Sequence, residues 1–154
     1  MTIQQQGSTP QLAGKVAVIL GGTGGIGMAT ARKLAALGAS VVLVSRDAQT
    51  AARAVAELPP GNHHAAVAQI SDTASLVRLA DDVQRKYGRI DMLVNSAGFT
   101  KAIAHADLDA LDDALIDEMF AVNWRGQFAA IRAMAPHLKA TGEGLVVNVG
   151  SIAG

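Results

Sequence analysis

The sequence predicts an α/β fold: a doubly wound parallel sheet with helices on both faces. Two observations carry this prediction. Short runs rich in valine, isoleucine and leucine alternate with longer segments whose apolar residues recur every three or four positions. The first run, KVAVIL, is nearly continuous in aliphatic residues, as a strand buried on both faces requires. Strands separated by helices are joined by right-handed crossovers and so lie parallel.

The elements follow in order. Met1–Gln11 is polar and rich in glutamine, and is expected to be a flexible tail with neither the basic nor the apolar region of a secretion signal. Residues 12–154 are expected to form one domain. Lys15–Leu20 is the first strand. Gly25–Leu37 is a helix with Ile26, Ala29, Thr30, Leu34 and Leu37 on one side, closed by Gly38. Ser40–Val44 is the second strand, and Asp47–Leu58 is a helix stopped by Pro59, Pro60 and Gly61. His64–Ile70 is a weaker third strand. Asp72–Tyr87 is a helix with Leu76, Leu79, Ala80 and Val83 on its apolar stripe, capped by Ser71 or Asp72. Ile90–Val94 is the fourth strand. Leu111–Lys139 reads as one long helix bent near Pro136, and Leu145–Val149 is the fifth strand.

Composition narrows the function. Thirteen basic side chains balance thirteen acidic ones, so there is no electrostatic case for nucleic acid or an anionic membrane. No apolar run approaches a membrane span, and a cytoplasmic protein is expected. The chain has no cysteine, which excludes disulfides, thiolate chemistry and cysteine-based metal sites. His63 and His64 lack nearby acidic or cysteine partners, so no metal site is expected.

Between the first strand and its helix lies Gly21-Gly22-Thr23-Gly24-Gly25-Ile26-Gly27. A strand-to-helix turn this tight, whose backbone must approach a pyrophosphate, has no room for side chains. The free N–H groups of the helix start then face the phosphates, and the helix dipole assists. A glycine loop in this strand–loop–helix context points to a dinucleotide site and a Rossmann-type sheet. The second strand ends at Ser45-Arg46. An acid there would accept bonds from a ribose 2′-hydroxyl, whereas an arginine suits a 2′-phosphate. NADP(H) is therefore expected over NAD(H).

Residues 20–27, Asn95-Ser96-Ala97-Gly98, Asn123-Trp124-Arg125-Gly126 and Val147 to Gly154 together resemble the motifs of the short-chain dehydrogenase/reductase family. The family loop Thr-Gly-x-x-x-Gly-Ile-Gly is met by residues 20–27, with Leu20 in place of threonine and Gly21, Gly22, Thr23, Gly24 and Ile26 lining the cofactor. Asn-Asn-Ala-Gly is met by Asn95-Ser96-Ala97-Gly98, and Asn-x-x-Gly by Asn123-Trp124-Arg125-Gly126. The strand ending in the active-site serine is met by Val147 to Gly154, with Ser151 as that serine. The resemblance implies hydride transfer between a nicotinamide ring and a carbonyl or alcohol on a small-molecule substrate. Ser151 would polarise the substrate, and Asn123 would hold a water in a proton relay through a local break in helix geometry. Asn95, Ala97 and Gly98 would border the cofactor. Gln69, where the family often has an acid, would meet the adenine beside Ile70.

The family's acid/base is a tyrosine with a lysine four residues later, beyond the serine. Tyr87 is the only tyrosine, and Lys86 beside it has the wrong spacing. We therefore expect an N-terminal portion of a longer enzyme, with its sheet incomplete at the C-terminal side and no turnover by itself. The alternatives are a non-catalytic, redox-sensing dinucleotide module or an inert fragment. The full-length form is expected to be a homo-oligomer, with Trp124 and Phe128 as candidate contacts.

Overall fold

The computed structural model describes residues 10–151; most of the expected tail, and Ile152 to Gly154 of the serine motif, lie outside them. Five strands form one parallel sheet: β1 (Val16–Leu20), β2 (Ser40–Ser45), β3 (His64–Val67), β4 (Met92–Asn95) and β5 (Leu145–Asn148), in the order β3-β2-β1-β4-β5. In register, Leu20 pairs with Val44 on one side and Asn95 on the other, and Asn95 pairs with Asn148. The helices are α1 (Gly25–Ala36), α2 (Ala48–Ala56), α3 (Thr73–Tyr87), α4 (Asp113–Phe120) and α5 (Gln127–Ala140).

Alternation along each strand splits the core into two layers. Val16, Val18, Leu20, Val42, Val44 and Leu93 pack with Leu76, Leu79 and Val83 of α3 and with Ala130, Met134 and Leu138 of α5. Ile19, Val41, Leu43 and Val94 point the other way, onto Met28, Ala31 and Ala35 of α1 and Ala54 of α2. Every residue of β1 is buried, which is why its sequence shows no polar alternation.

The helix termini follow residue chemistry. The side chains of Asp47, Asp72 and Asp112 each accept a backbone N–H bond at the start of α2, α3 and α4. Gly38 and Gly88 take the left-handed conformation where α1 and α3 end, at a steric cost that glycine does not incur.

Four expectations are corrected. The buried face of α1 is Gly27, Met28, Ala31 and Ala35, while Ile26 is 61% exposed. Small residues rather than the larger aliphatic ones let α1 approach the sheet. The third strand ends at Val67, because the Gln69 N–H donates to the Ser75 hydroxyl (3.2 Å) instead of to β2. The fourth strand begins at Met92, after the buried Asp91. The long helix is interrupted by a π-helical turn at Ala121–Gly126 between α4 and α5, whereas Pro136 lies inside α5. π-bulges of this kind are frequent at functional sites.

Candidate active site

The order of strands places consecutive crossovers on opposite sides of the β1/β4 seam. β1 to β2 to β3 runs outward one way, and β4 to β5 the other. Ligands of open α/β sheets bind at the carboxyl ends of strands at such a switch point. The glycine loop follows β1 there, and the 95–98 turn follows β4.

Close backbone approach explains the inner glycines. Gly21 has φ +75°, and a Cβ on it would lie 2.6 Å from the Ala97 nitrogen. A Cβ on Gly22 would lie 2.4 Å from a methyl of Leu43, and one on Gly27 would lie 2.3 Å from the Gly21 carbonyl oxygen. Gly24 and Gly25 differ, since a Cβ on either would meet nothing within 4 Å. The loop is thus closed toward the protein and open outward.

The open side leads to the start of α1. Gly24 occupies its N-cap position without a side-chain hydrogen bond, and no acidic residue stands in the first turn. The first intrahelical bond there runs from the Met28 N–H to the Gly24 carbonyl at 3.2 Å. Among the described residues the earlier N–H groups have no side-chain cap, unlike those of the aspartate-capped helices. A phosphate suits this end through those donors and through the helix dipole, so the residues present fit a dinucleotide's pyrophosphate.

At the end of β2, Ser45 is half-buried and Arg46 exposed. The Asp47 carboxylate beside them accepts from the Thr50 N–H at 2.7 Å and the Thr50 hydroxyl at 2.6 Å. Those bonds, from the hydroxyl first and the backbone second, hold its pKa below the ordinary carboxylate value. Arg46 enters no ion pair among the described residues. Beyond β3, Ala68 and Ile70 are buried and Gln69 is exposed. The Gln69 Nε2 donates to the Ser71 hydroxyl at 3.0 Å.

At the end of β4, Asn95 is fully buried. Its Nδ2 donates to Asn148 Oδ1 at 2.8 Å and to the Gln127 carbonyl at 3.4 Å, while its own Oδ1 has no partner among the described residues. Asn95 therefore ties β4 to β5 and α5, with its side chain turned away from solvent. Gly98 is exposed and Ala97 half-buried. Asn123, in the π-helical turn, is committed to Phe99 at both ends of its amide. Its Oδ1 accepts from the Phe99 N–H and its Nδ2 donates to the Phe99 carbonyl, each at 2.7 Å. Gly126 closes the same turn, and a Cβ there would lie 2.7 Å from the Ile70 carbonyl oxygen.

Ser151 is exposed just past β5, where the Val149 N–H still bonds the Asn95 carbonyl at 2.9 Å. Ser151, Asn95, Arg46, Gln69 and the glycine loop thus share the carboxyl edge of the sheet. Tyr87 does not. It closes α3 at the amino edge, where its hydroxyl donates to the Asn62 carbonyl at 3.1 Å, and burial pushes its pKa up.

Sequence reasoning missed Phe99, Asn148 and the role of Gly126. The identical endings of MLVN and LVVN were a usable signal for the Asn95–Asn148 pair, because equal registers place them side by side. Among the described residues no group of three or more potential metal ligands occurs, and no helix is long and apolar enough to cross a membrane.

Comparison with known proteins agrees with this geometry. The profile of the short chain dehydrogenase family matches residues 15–154. D-threitol dehydrogenase of Mycolicibacterium smegmatis is 37% identical over 143 residues, covering 92% of this chain and 54% of that protein. A metagenomic short-chain oxidoreductase solved with NADP is 34% identical, with a TM-score of 0.81 over 92% of this chain and 64% of its own. NAD+-bound xylitol dehydrogenase is 27% identical, with a TM-score of 0.87 over 94% and 55%. The chain spans about half the length of the curated relatives it matches. A parallel sheet in the order β3-β2-β1-β4-β5, a glycine loop at its switch point and a profile match from Lys15 onward place this chain in the short-chain dehydrogenase/reductase family of oxidoreductases.

Proposed function

We propose that this chain binds NADP(H) in preference to NAD(H) and supplies the cofactor loops and the polarising serine of a carbonyl reductase or alcohol dehydrogenase. The supporting observation is Arg46. It stands exposed at the end of β2 without an ion pair among the described residues, and the adjacent Asp47 is occupied by Thr50. A guanidinium so placed suits a 2′-phosphate, and its fork of donors adds geometric fit.

The bound nicotinamide would supply or accept the hydride. The protein's own contribution is positional. Gly21, Gly22, Thr23, Gly24 and Ile26 would surround the pyrophosphate, with Ser45 and Arg46 at the adenosine ribose and Gln69 and Ile70 at the base. Asn95, Ala97 and Gly98 would border the nicotinamide side. Ser151 would donate its hydroxyl to the substrate oxygen as negative charge develops. Both ends of the Asn123 amide are held by Phe99, so a proton relay at this residue would run through its backbone.

Within these 154 residues Tyr87 is the sole tyrosine, and position 91 is aspartate rather than lysine, so they hold no tyrosine–lysine pair of the spacing the family uses. We expect this chain alone to bind and not turn over. We also propose that the full-length enzyme is a homo-oligomer joined through the face bearing Trp124 and Phe128.

The test is a fluorescence titration of the purified chain with NADPH and NADH. NADPH should bind about tenfold more tightly, a difference of about 1.4 kcal/mol. Arg46→Ala should abolish the difference by weakening NADPH alone. Equal affinities in the unaltered chain would overturn the NADP preference, and steady ketone reduction would overturn the expectation of no turnover.

A further inference from the structure

We infer that Gly126 is a positioning residue: it seats the π-helical turn against the loop after β3, and so fixes the Asn123 amide and, through it, the crevice wall that follows β4. The inference deepens the reading of Asn123 given above and rests on it.

The sheet does not itself join these two loops. β2 and β1 stand between β3 and β4, so no strand ladder runs from one loop to the other. The turn at Ala121–Gly126 makes the connection. Its last residue, Gly126, is buried. A Cβ there would lie 2.7 Å from the Ile70 carbonyl oxygen and 2.9 Å from Ile70 Cγ1. Ile70 is itself buried in the core layer of α3 and α5, and Val122 of the turn and Ala97 pack against that layer. Asn123, in the same turn, bonds the Phe99 N–H and the Phe99 carbonyl at 2.7 Å each. Ile70, Gly126, Asn123 and Phe99 thus form one line of contacts from the loop after β3 to the segment after β4.

The turn's own winding demands the same glycine. A Cβ at position 126 would also lie 2.9 Å from the Ala121 carbonyl oxygen. Two of the three opposing atoms are therefore main-chain oxygens, which cannot swing aside as a flexible side chain does. In a close-packed interior the added methyl group has to move the turn as a body. It moves either away from Ile70 or toward ordinary α-helical winding, and both reorient Asn123. The Asn123 amide must meet a donor and an acceptor of one residue at once. Hydrogen bonds weaken steeply with misalignment, so a small rotation loses both together and frees Phe99. The effect of position 126 is then read two contacts away, at a residue that it does not bond.

The experiment is amide NMR of the isotope-labelled chain, combined with hydrogen exchange. Gly126→Ala should shift the Asn123 side-chain amide resonances and raise exchange at the Phe99 N–H about tenfold. Met134→Ala is the control. Met134 is fully buried in the same core layer, so this variant loses stability through a cavity but should leave both signals in place. Ile70→Ala is the second probe, should Gly126→Ala fail to fold. It trims the side chain beside the turn and should raise Phe99 exchange about threefold, although Phe99 bonds Asn123 and not Ile70. The inference is overturned if Gly126→Ala folds with both signals unmoved, if Met134→Ala moves them as far, or if Ile70→Ala leaves Phe99 exchange unchanged. NADPH titration of the same samples keeps the two readings apart. A chain that binds no NADPH sinks the cofactor reading, while the Asn123 and Phe99 signals still decide the role of Gly126.

Discussion

Gly21 and Ala97 come from different crossovers and meet at the switch point so closely that no side chain fits between them. A Cβ on Gly21 would lie 2.6 Å from the Ala97 nitrogen and 2.7 Å from its Cα, and the φ of Gly21 is +75°. The contact locks the glycine loop to the turn after β4, so one backbone junction sets both walls of the crevice. Gly21→Ala combines a left-handed backbone cost of about 1–2 kcal/mol with a clash against main chain that cannot swing aside. We expect a lower melting temperature together with loss of NADPH binding. Gly24→Ala is the control. It has an extended backbone and open space around its Cβ position, so its stability should change by less than about 0.5 kcal/mol. Thermal melts of the two variants check the contrast.

Asn123 predicts a different loss. Its two 2.7 Å bonds to Phe99 hold the segment after Gly98 against the π-helical turn. Asn123→Ala should cost about 1–3 kcal/mol in urea unfolding, since both Phe99 backbone groups lose a partner. Asn123→Asp should do no better than alanine at the Phe99 carbonyl, because a carboxylate cannot donate to it. Hydrogen exchange at the Phe99 amide should rise in both variants. Unchanged exchange would show that the contact does not hold the segment.

Asp91 sets the acid limit of the fold. Its carboxylate lies at the amino edge, bonded to the Val16 N–H at 2.8 Å and to Arg89 at 2.6 and 2.8 Å, with Lys15 at 3.6 Å. Burial pushes its pKa up, but the Arg89 bonds, the Val16 N–H and the Lys15 charge outweigh burial and hold it below the ordinary carboxylate value. A folded value below the unfolded one gives stability that is full above the unfolded value and lost as pH falls through the folded one. Acid unfolding should therefore set in below about pH 4. Asp91→Asn should flatten that part of the profile, and Asp91→Ala should cost about 1–3 kcal/mol at neutral pH by stranding the Val16 N–H. Circular dichroism against pH, for all three proteins, checks the sign.

These residues also show how much of the molecule was legible in its sequence. Local signals were read well. The all-aliphatic β1 announced a strand covered on both faces, Asp72 announced a cap, and Gly38 announced a helix end, because each acts within a few residues of itself. Contacts across the chain were not. Nothing near Asn123 announces that its amide closes on Phe99, and nothing near Gly126 announces the Ile70 carbonyl beside it. The buried face of α1 was misjudged for the same reason. Helical spacing favoured Ile26 and Leu37, but proximity to the sheet selected Gly27, Met28 and Ala31. The sheet's carboxyl edge gathered the motif residues because βα alternation sends every loop after a strand to one side, and that rule needs no tertiary information.

The last prediction concerns the aromatic stripe. Trp124 and Phe128 are 69% and 57% exposed, with ring centroids 6.5 Å apart and planes 15° from parallel, and Phe120 is 64% exposed on the helix before them. The Trp124 and Phe128 rings stack on one another and so form one apolar strip. A strip of this kind is costly in water, and aromatic residues of this type anchor protein interfaces. If it joins subunits, Trp124→Glu combined with Phe128→Glu should shift sedimentation from oligomer to monomer. The far-ultraviolet spectrum should stay unchanged, because neither side chain contributes to the two core layers. Partial assembly in the single variants would show that the stacked pair acts as a unit. A wild-type chain that sediments as a monomer at every concentration would remove this face from the interface and leave the strip as exposed apolar surface.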